Sequence, residues 1–333
     1  MPIKIMSFHR SQMRWPLLIV RSVLTVLIAT YVYRRVDWGG LSGALRLTEP
    51  VWLGAAVCLQ GCAIATAAVR WRVLLANQGI PIGVLKATRL TLAASFFNLF
   101  FLGSVGGDAA RFTGAASHAA GRKVRLVLSL VQDRLIGLSA LLLLLAGFIG
   151  LQGRRIWAEP AFGPLAATVT IACATLLAVV SALWILGGPA GSVVQDESED
   201  WRGTGRRFMG ALIPRRVFLR CLILSLVIHL TVVTSGWLAA HAVGLEIPFP
   251  AAAVVLGATA LAVSLPLTLV GLGVRDGMLL WLLAAFGFRS TGQAIALSGC
   301  LLGVTLFWAL VGGVVLHLTN PDPADPPGRQ QGR

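Results

Sequence analysis

Charge is scarce in this sequence. Only 12% of its 333 residues are Asp, Glu, Lys or Arg, about half the share a soluble domain carries. Acids are scarcer still, with 13 Asp and Glu against 28 Lys and Arg. So little charge cannot clothe a water-facing surface, which excludes a soluble globular protein. The net charge of +15 raises nucleic acid as a partner. There is no contiguous polar domain to carry such an interface, and the basic loops of a membrane protein account for the excess. No nucleic-acid partner is expected.

Enzyme and metal motifs are missing as well. The chain has no HExxH, no phosphate-binding P-loop, no GxSxG in a strand–helix context and no carboxylate pair on one helix face. No catalytic residue is assigned and no cofactor is expected. The cysteines, Cys58, Cys62, Cys173, Cys221 and Cys300, are odd in number and sit in apolar runs, which argues against a disulfide framework. Cys58 and Cys62 share a helix face but lack further ligands, and His229 and His241 have no acid at ligand spacing. No metal site is expected, and these histidines read as helix-packing residues.

What is present is apolar sequence, 56% of the residues. Runs long enough to cross a bilayer, about 20 residues each, lie at 15–33, 51–76, 126–151, 162–186, 216–243 and 292–318. The first follows a basic start like that of a signal peptide. It is too long for one, and Arg34-Arg35 follows instead of small residues, so it reads as a first membrane helix. Two further apolar segments, 86–120 and 251–288, are broken by glycine. Breaks at membrane depth are tolerated only where the freed backbone is buried or lines a cavity. The expected fold is therefore all-α: a polytopic helical membrane protein of about six spanning helices plus two re-entrant hairpins, eight membrane elements in all.

Lys and Arg set the orientation. The connector 187–216 carries Arg202, Arg206, Arg207, Arg215 and Arg216, whereas 244–250 carries none, so the first is placed inside and the second outside. The first hairpin then opens to the cytoplasm, the second opens outward, and both termini are cytoplasmic. The order helix–helix–hairpin–helix occurs twice in opposite senses, over 15–151 and 162–318, with a boundary in the connector 152–160. That is an inverted repeat, whose site is expected where the hairpins meet near the midplane. The acidic run 196–200 reads as a solvated loop, and the Pro- and Asp-rich tail 320–333 as disordered.

Ionisable residues beside the breaks are costly in a membrane and become candidates for binding. In the first broken segment these are Asn98, Gly106, Gly107, Asp108 and Arg111. The glycines permit tight turns that free backbone amides to face an anion. Asp108 is expected to cap a helix over 109–119, and Arg111 to pair with Asp108 or grip a phosphate. Asn98 is expected to bond hairpin backbone or substrate. In the second segment, Pro266 is expected to break the incoming half-helix. Gly271, Gly273, Arg275 and Asp276 follow it, with Asp276 orienting Arg275 toward an anionic headgroup. Asp133 and Arg134, with Gly137 one turn on, are expected to start the helix after the first hairpin, where an acid favours the helix dipole. Arg70-Trp71-Arg72 reads as an interfacial anchor with snorkelling arginines, with a direct role in lipid entry as the alternative.

These motifs together, Arg70-Trp71-Arg72, Phe96-Phe97-Asn98, Gly106-Gly107-Asp108-Ala109-Ala110-Arg111, Asp133-Arg134-Leu135-Ile136-Gly137 and Gly271-Leu272-Gly273-Val274-Arg275-Asp276, resemble the transmembrane region family of lysylphosphatidylglycerol synthase, a flippase-like family. The resemblance covers roughly residues 51–318. In two-part members it implies a domain that flips an aminoacylated phospholipid made by a separate cytoplasmic domain. That synthetic domain has no counterpart expected here, so a stand-alone translocator is implied, with a membrane lipid as its substrate. Leu102 stands where relatives often have proline, Leu99 where a second asparagine is frequent, and Asp276 where glutamate is usual. With no ATP-binding motif, transport is expected to be passive or gradient-driven, with Asp108 and Asp276 open to proton coupling. Another class of function is a lipid-binding accessory subunit of a membrane glycosyltransferase or lipid-synthesis enzyme. A third is a membrane transferase with Asp108 or Asp133 as base. Oligomeric state is not set by the sequence.

Overall fold

A computed structural model describes residues 48–100, 104–119, 121–153, 162–186, 214–264 and 273–319. Nine helices and no strand occur among them: α1 (Pro50–Asn77), α2 (Val84–Phe100), α3 (Ser104–Ala116), α4 (Lys123–Leu151), α5 (Gly163–Leu186), α6 (Arg215–Ala242), α7 (Phe249–Ser264), α8 (Val274–Ala285) and α9 (Thr291–Thr319). The protein is a polytopic helical membrane protein. Helices α1, α4, α6 and α9 are long and apolar enough to cross a bilayer, and α5 coincides with another expected span. The expected first helix, the connector 187–213, the tail and both hairpin tips, with Leu102, Pro266 and Gly271, lie outside the described residues.

Lipid as solvent explains the local chemistry. Backbone groups must be satisfied within each helix, and hydroxyls do the same by bonding the carbonyl four residues back, as Thr91 does to Ala87 (2.9 Å) and Thr259 to Val255 (2.7 Å). Outer faces stay apolar. Leu219, Ile223, Val227 and Leu230 recur at helical spacing along α6 and are all exposed, a stripe that water would penalise and lipid does not. The interior is built of small residues, among them Ala56, Ala63, Ala68, Ala239, Ala240 and Ala253, which let backbones approach closely.

The helix lengths repeat. α1 to α4 have 28, 17, 13 and 29 residues, and α6 to α9 have 28, 16, 12 and 29. The packing repeats with them: α2 lies on α9 as α7 lies on α4, α2 pairs with α3 as α7 pairs with α8, and α1 touches α9 as α6 touches α4. The corresponding helices α1 and α6 form the most extensive helix contact among the described residues. They are antiparallel, because Glu49 N donates to Ala242 O (2.9 Å), Ser235 Oγ to Ala56 O (2.7 Å) and Arg70 Nη1 to Ser225 Oγ (2.8 Å). Equivalent helices that run antiparallel are related by an axis lying in the membrane plane, the geometry of two inverted halves.

Helices α2 and α3 form an antiparallel hairpin. Asn98 faces Gly107, Leu90 faces Gly114, and Lys86 Nζ reaches His118 Nε2 at 3.1 Å. At 13 residues α3 is about 20 Å long, too short to span the hydrocarbon core. The glycines expected to form a turn do not form one. Gly106 and Gly107 lie inside α3, and a Cβ at Gly107 would stand 2.8 Å from the Ala94 carbonyl of α2. Gly107 therefore serves close helix packing. The Gly312-Gly313 pair does likewise, seating α9 against the Leu92 carbonyl and the Phe96 ring of α2. Among the described residues, each hairpin rests on the long fourth helix of the opposite half. The tips, where the hairpins are expected to meet, lie outside the described residues, and the described parts carry two charged clusters, one in each half.

Candidate functional site

The first cluster is built around Asp133. The expected helix start at this residue is wrong, since α4 begins ten residues earlier at Lys123. Asp133 sits in mid-helix, 4% exposed, where the helix dipole offers it nothing. Its charge is met by two arginines instead. Arg70 Nε of α1 donates to Oδ1 at 2.8 Å and Arg111 Nη1 of α3 to Oδ2 at 3.1 Å. One carboxylate therefore ties α1, α3 and α4 together, and Arg70 extends the tie to Ser225 of α6. Gly137 makes room for this, because a Cβ there would meet Arg70 Nη1 at 3.3 Å. The Gly137 carbonyl pairs with His229 Nε2 at 2.9 Å, which keeps His229 in the packing role expected of it.

Arg70-Trp71-Arg72 is therefore no simple interfacial anchor. Arg70 is 8% exposed and Trp71 fully buried. Only Arg72 lies near a helix end, donating to Ile82 O at 3.1 Å. Burial of Arg70 follows from having a fixed carboxylate to pair with, which removes its reason to snorkel. The Arg111 guanidinium lies over the Trp71 ring, 5.3 Å from its centroid.

The other predicted residues of this half pair differently from expectation. Asp108 lies within α3, which begins at Ser104, so it caps no helix; its Oδ2 accepts from Arg134 Nε at 3.0 Å. That pair is the wetter one, with side chains 49% and 29% exposed. Asp108 and Arg111 share a face of α3 by their i to i+3 spacing, yet Arg111 bonds Asp133 and Asp108 bonds Arg134. Asn98 accepts from Gly107 N at 3.1 Å, the structural bond to hairpin backbone that was expected. Gly106 lies beside it in α3.

The second cluster is at the start of α8. Gly273, at φ 80°, turns the chain into the helix, a conformation costly for other residues. Asp276, at the third helical position, accepts from Gly273 N through Oδ2 at 3.1 Å and so stabilises the helix start. Arg275 and Asp276 are 3.8 Å apart, and Ser298 of α9 joins them. Arg275 Nε donates to Ser298 Oγ at 2.7 Å, and Ser298 Oγ donates to Asp276 Oδ1. Asp276 thus orients Arg275 largely through a serine.

Sequence reasoning missed Arg70, Trp71, Ser225 and Ser298 as members of these clusters. Two of them had a signal: Arg70 and Trp71 stand beside one another in an apolar run where a charge demands a partner. Ser225 and Ser298 had none, since serine in a membrane helix is satisfied by its own backbone. No group of three or more metal-ligating side chains occurs among the described residues.

The two clusters differ in charge, the second pairing one arginine with one carboxylate. The first carries Arg70, Arg111 and Arg134 against Asp108 and Asp133, three positive charges against two negative. No curated protein matches the chain. The family described as the lysylphosphatidylglycerol synthase TM region matches residues 18–313, well over half of the chain, and the chain belongs to that family.

Proposed function

We propose that the protein is a lipid translocator that moves a lipid with a polar, anionic headgroup between leaflets of the bacterial cytoplasmic membrane. Its family makes it a membrane protein related to lipid handling; the transport step is our reading. The observation that carries it is the buried charge on the two hairpins, Arg111 on α3 and Arg275 on α8, in equivalent halves. Buried ionic groups are expensive in a membrane and mark substrate pathways. Asn98, Gly106, Gly107, Asp108, Asp133, Arg134, Gly273 and Asp276 shape the two stations, and Gly271 belongs with the second by sequence.

The stations suit a path through the bilayer. Arg70 stands seven residues from the end of α1, about 10 Å in. Ser298 stands seven residues from the start of α9, a similar depth from the other face. Arg72, Lys86, Arg89, Arg122, Lys123 and Arg125 gather at the mouth of the first hairpin, with Arg215 and Arg216 at the start of the antiparallel α6. Glu49, Glu246 and Arg289 lie at the opposite end, so among the described residues only one of its charges is positive. This asymmetry supports a cytoplasmic first hairpin and cytoplasmic termini. A headgroup entering at Arg111 would leave near Arg275. Transferase chemistry gains no support at Asp133, since both its oxygens accept from guanidinium groups.

The test is leaflet translocation in proteoliposomes with labelled anionic, cationic, zwitterionic and polyprenyl-phosphate lipids. Headgroup-selective movement in wild type, lost in Arg111→Ala/Arg275→Ala at unchanged folding, is the expected result. Unchanged movement in that variant would remove both arginines from the path. Lipid binding without movement would leave an accessory subunit of a lipid-synthesis enzyme or membrane glycosyltransferase as the better reading.

A further inference from the structure

Two buried donors in the first cluster have no acceptor among the described residues: Trp71 Nε1 and Arg111 Nε. They belong to side chains in direct contact, the guanidinium lying over the indole ring. Buried N–H groups without partners are rare, and each one calls for an explanation. Around them are other donors and a surplus of positive charge, which calls for an acceptor that brings negative charge with it.

The edge that Arg111 presents narrows the chemistry. Its bond to Asp133 uses Nη1. Arg70, by contrast, spends Nε on Asp133 and Nη1 on Ser225. A guanidinium carries its parallel donor pair on the Nε and Nη2 edge, the fork that matches two oxygens of a phosphate or carboxylate. In Arg111 neither nitrogen of that edge has a hydrogen bond among the described residues. Arg70 is therefore structural, and Arg111 is held in place by Asp133 through its far nitrogen with its fork still open.

We infer that Arg111 and Trp71 form a site for the phosphodiester group of a membrane lipid, the fork of Arg111 taking two oxygens and the indole N–H of Trp71 supplying a further donor. This rests on the reading of Arg111 as a headgroup-binding residue, and it adds the headgroup class and Trp71 as a residue that selects it. A neutral headgroup leaves both donors unpaired; a phosphodiester satisfies them and balances the spare charge. The Arg111 side chain is 12% exposed, so its fork is reached first. Trp71 belongs to a buried cluster with Ile80, Ile82, Ala87, Ala115 and Ala119, so its N–H engages only a group already seated at Arg111.

Trp71→Phe is the discriminating variant, since it keeps an aromatic ring under Arg111 and deletes only the donor and part of the ring. The full-length protein in detergent is titrated with short-chain phosphatidylglycerol, with the matching diacylglycerol, and with inorganic phosphate, alongside its melting temperature. Wild type is expected to bind phosphatidylglycerol and not diacylglycerol, with phosphate competing weakly. Trp71→Phe is expected to weaken phosphatidylglycerol binding about tenfold, the size of one hydrogen bond to a charged group, with only the modest fall in melting temperature that the smaller buried ring causes. Arg111→Lys, which keeps charge but not the fork, is expected to weaken it by a similar factor. Unchanged binding in Trp71→Phe, equal binding of diacylglycerol, or a loss that only tracks a lower melting temperature overturns the site. Free phosphate binding as tightly as the lipid overturns the lipid as its occupant. Selective binding by a protein that moves no lipid leaves this site standing and removes the translocator reading alone.

Discussion

Arg70 and Asp133 are 63 residues apart in sequence and 2.8 Å apart in space, both buried. Their pair fixes α1 to α4, and through Arg111 it also fixes the first hairpin. Taking one member from a buried pair leaves an uncompensated charge, at a cost of about 3–5 kcal/mol. Asp133→Ala is therefore expected to lower thermal stability sharply. Arg134→Ala, which breaks a pair whose side chains are 49% and 29% exposed, is expected to cost less than about 1 kcal/mol. Melting curves of the two purified variants decide this. Equal losses would mean that the Asp133 cluster does not hold the helices together.

Glycine positions give a second, graded test. At Gly107 an added Cβ meets the Ala94 carbonyl at 2.8 Å, and backbone cannot yield as a side chain can. Gly107→Ala is expected to cost about 1–3 kcal/mol and to spread the hairpin. Gly147, in mid-α4, has nothing within 4 Å of its Cβ position. Gly147→Ala is expected to be neutral, or stabilising by up to about 1 kcal/mol through helix propensity. Thermal unfolding of the pair reads the difference, and an undisturbed Gly107→Ala would show that the hairpin is looser than this packing implies.

Much of the fold was legible because the membrane imposes it. A span needs an unbroken apolar run, so the ends of α4, α6 and α9 fall within about three residues of the sequence reading. The paired breaks pointed to hairpins for the same reason. The charge partners were not legible. Proximity in sequence favoured Asp108 with Arg111, while packing gave Arg111 to Asp133 and Asp108 to Arg134. Reading Asp133 as a helix start overlooks that the apolar run holding it begins at residue 126, and α4 itself begins at Lys123. Gly106 and Gly107 misled in the opposite sense, since glycine signals a turn and close packing equally well.

Ser298 supplies a third prediction, at the second cluster. It accepts from Arg275 and donates to Asp276, while the two charged groups are themselves 3.8 Å apart. Without the hydroxyl, Arg275 loses its fixed direction. Ser298→Ala is expected to cut headgroup-selective translocation about tenfold, consistent with losing a hydrogen bond to charged groups, while Ser298→Thr restores it. Circular dichroism and melting temperature should stay near wild type. Full transport by Ser298→Ala would reduce Ser298 to packing.

The last prediction concerns direction. In a variant whose five cysteines are replaced, single cysteines at Lys123 and at Glu246 probe opposite ends of the bundle. Lys123 lies with Arg122, whose guanidinium bonds the Gly79 carbonyl at the mouth of the first hairpin. Glu246 follows the end of α6, where Gln293 Nε2 of α9 donates to Gly244 O at 2.8 Å. Positive residues stay on the cytoplasmic side, so a membrane-impermeant maleimide added to intact cells should label position 246 and spare 123 until the membrane is permeabilised. The reverse pattern would invert the whole molecule. On the proposed reading of two inverted halves, that outcome would leave the two stations intact and exchange their roles, with Arg275 receiving the headgroup from the cytoplasm and Arg111 releasing it.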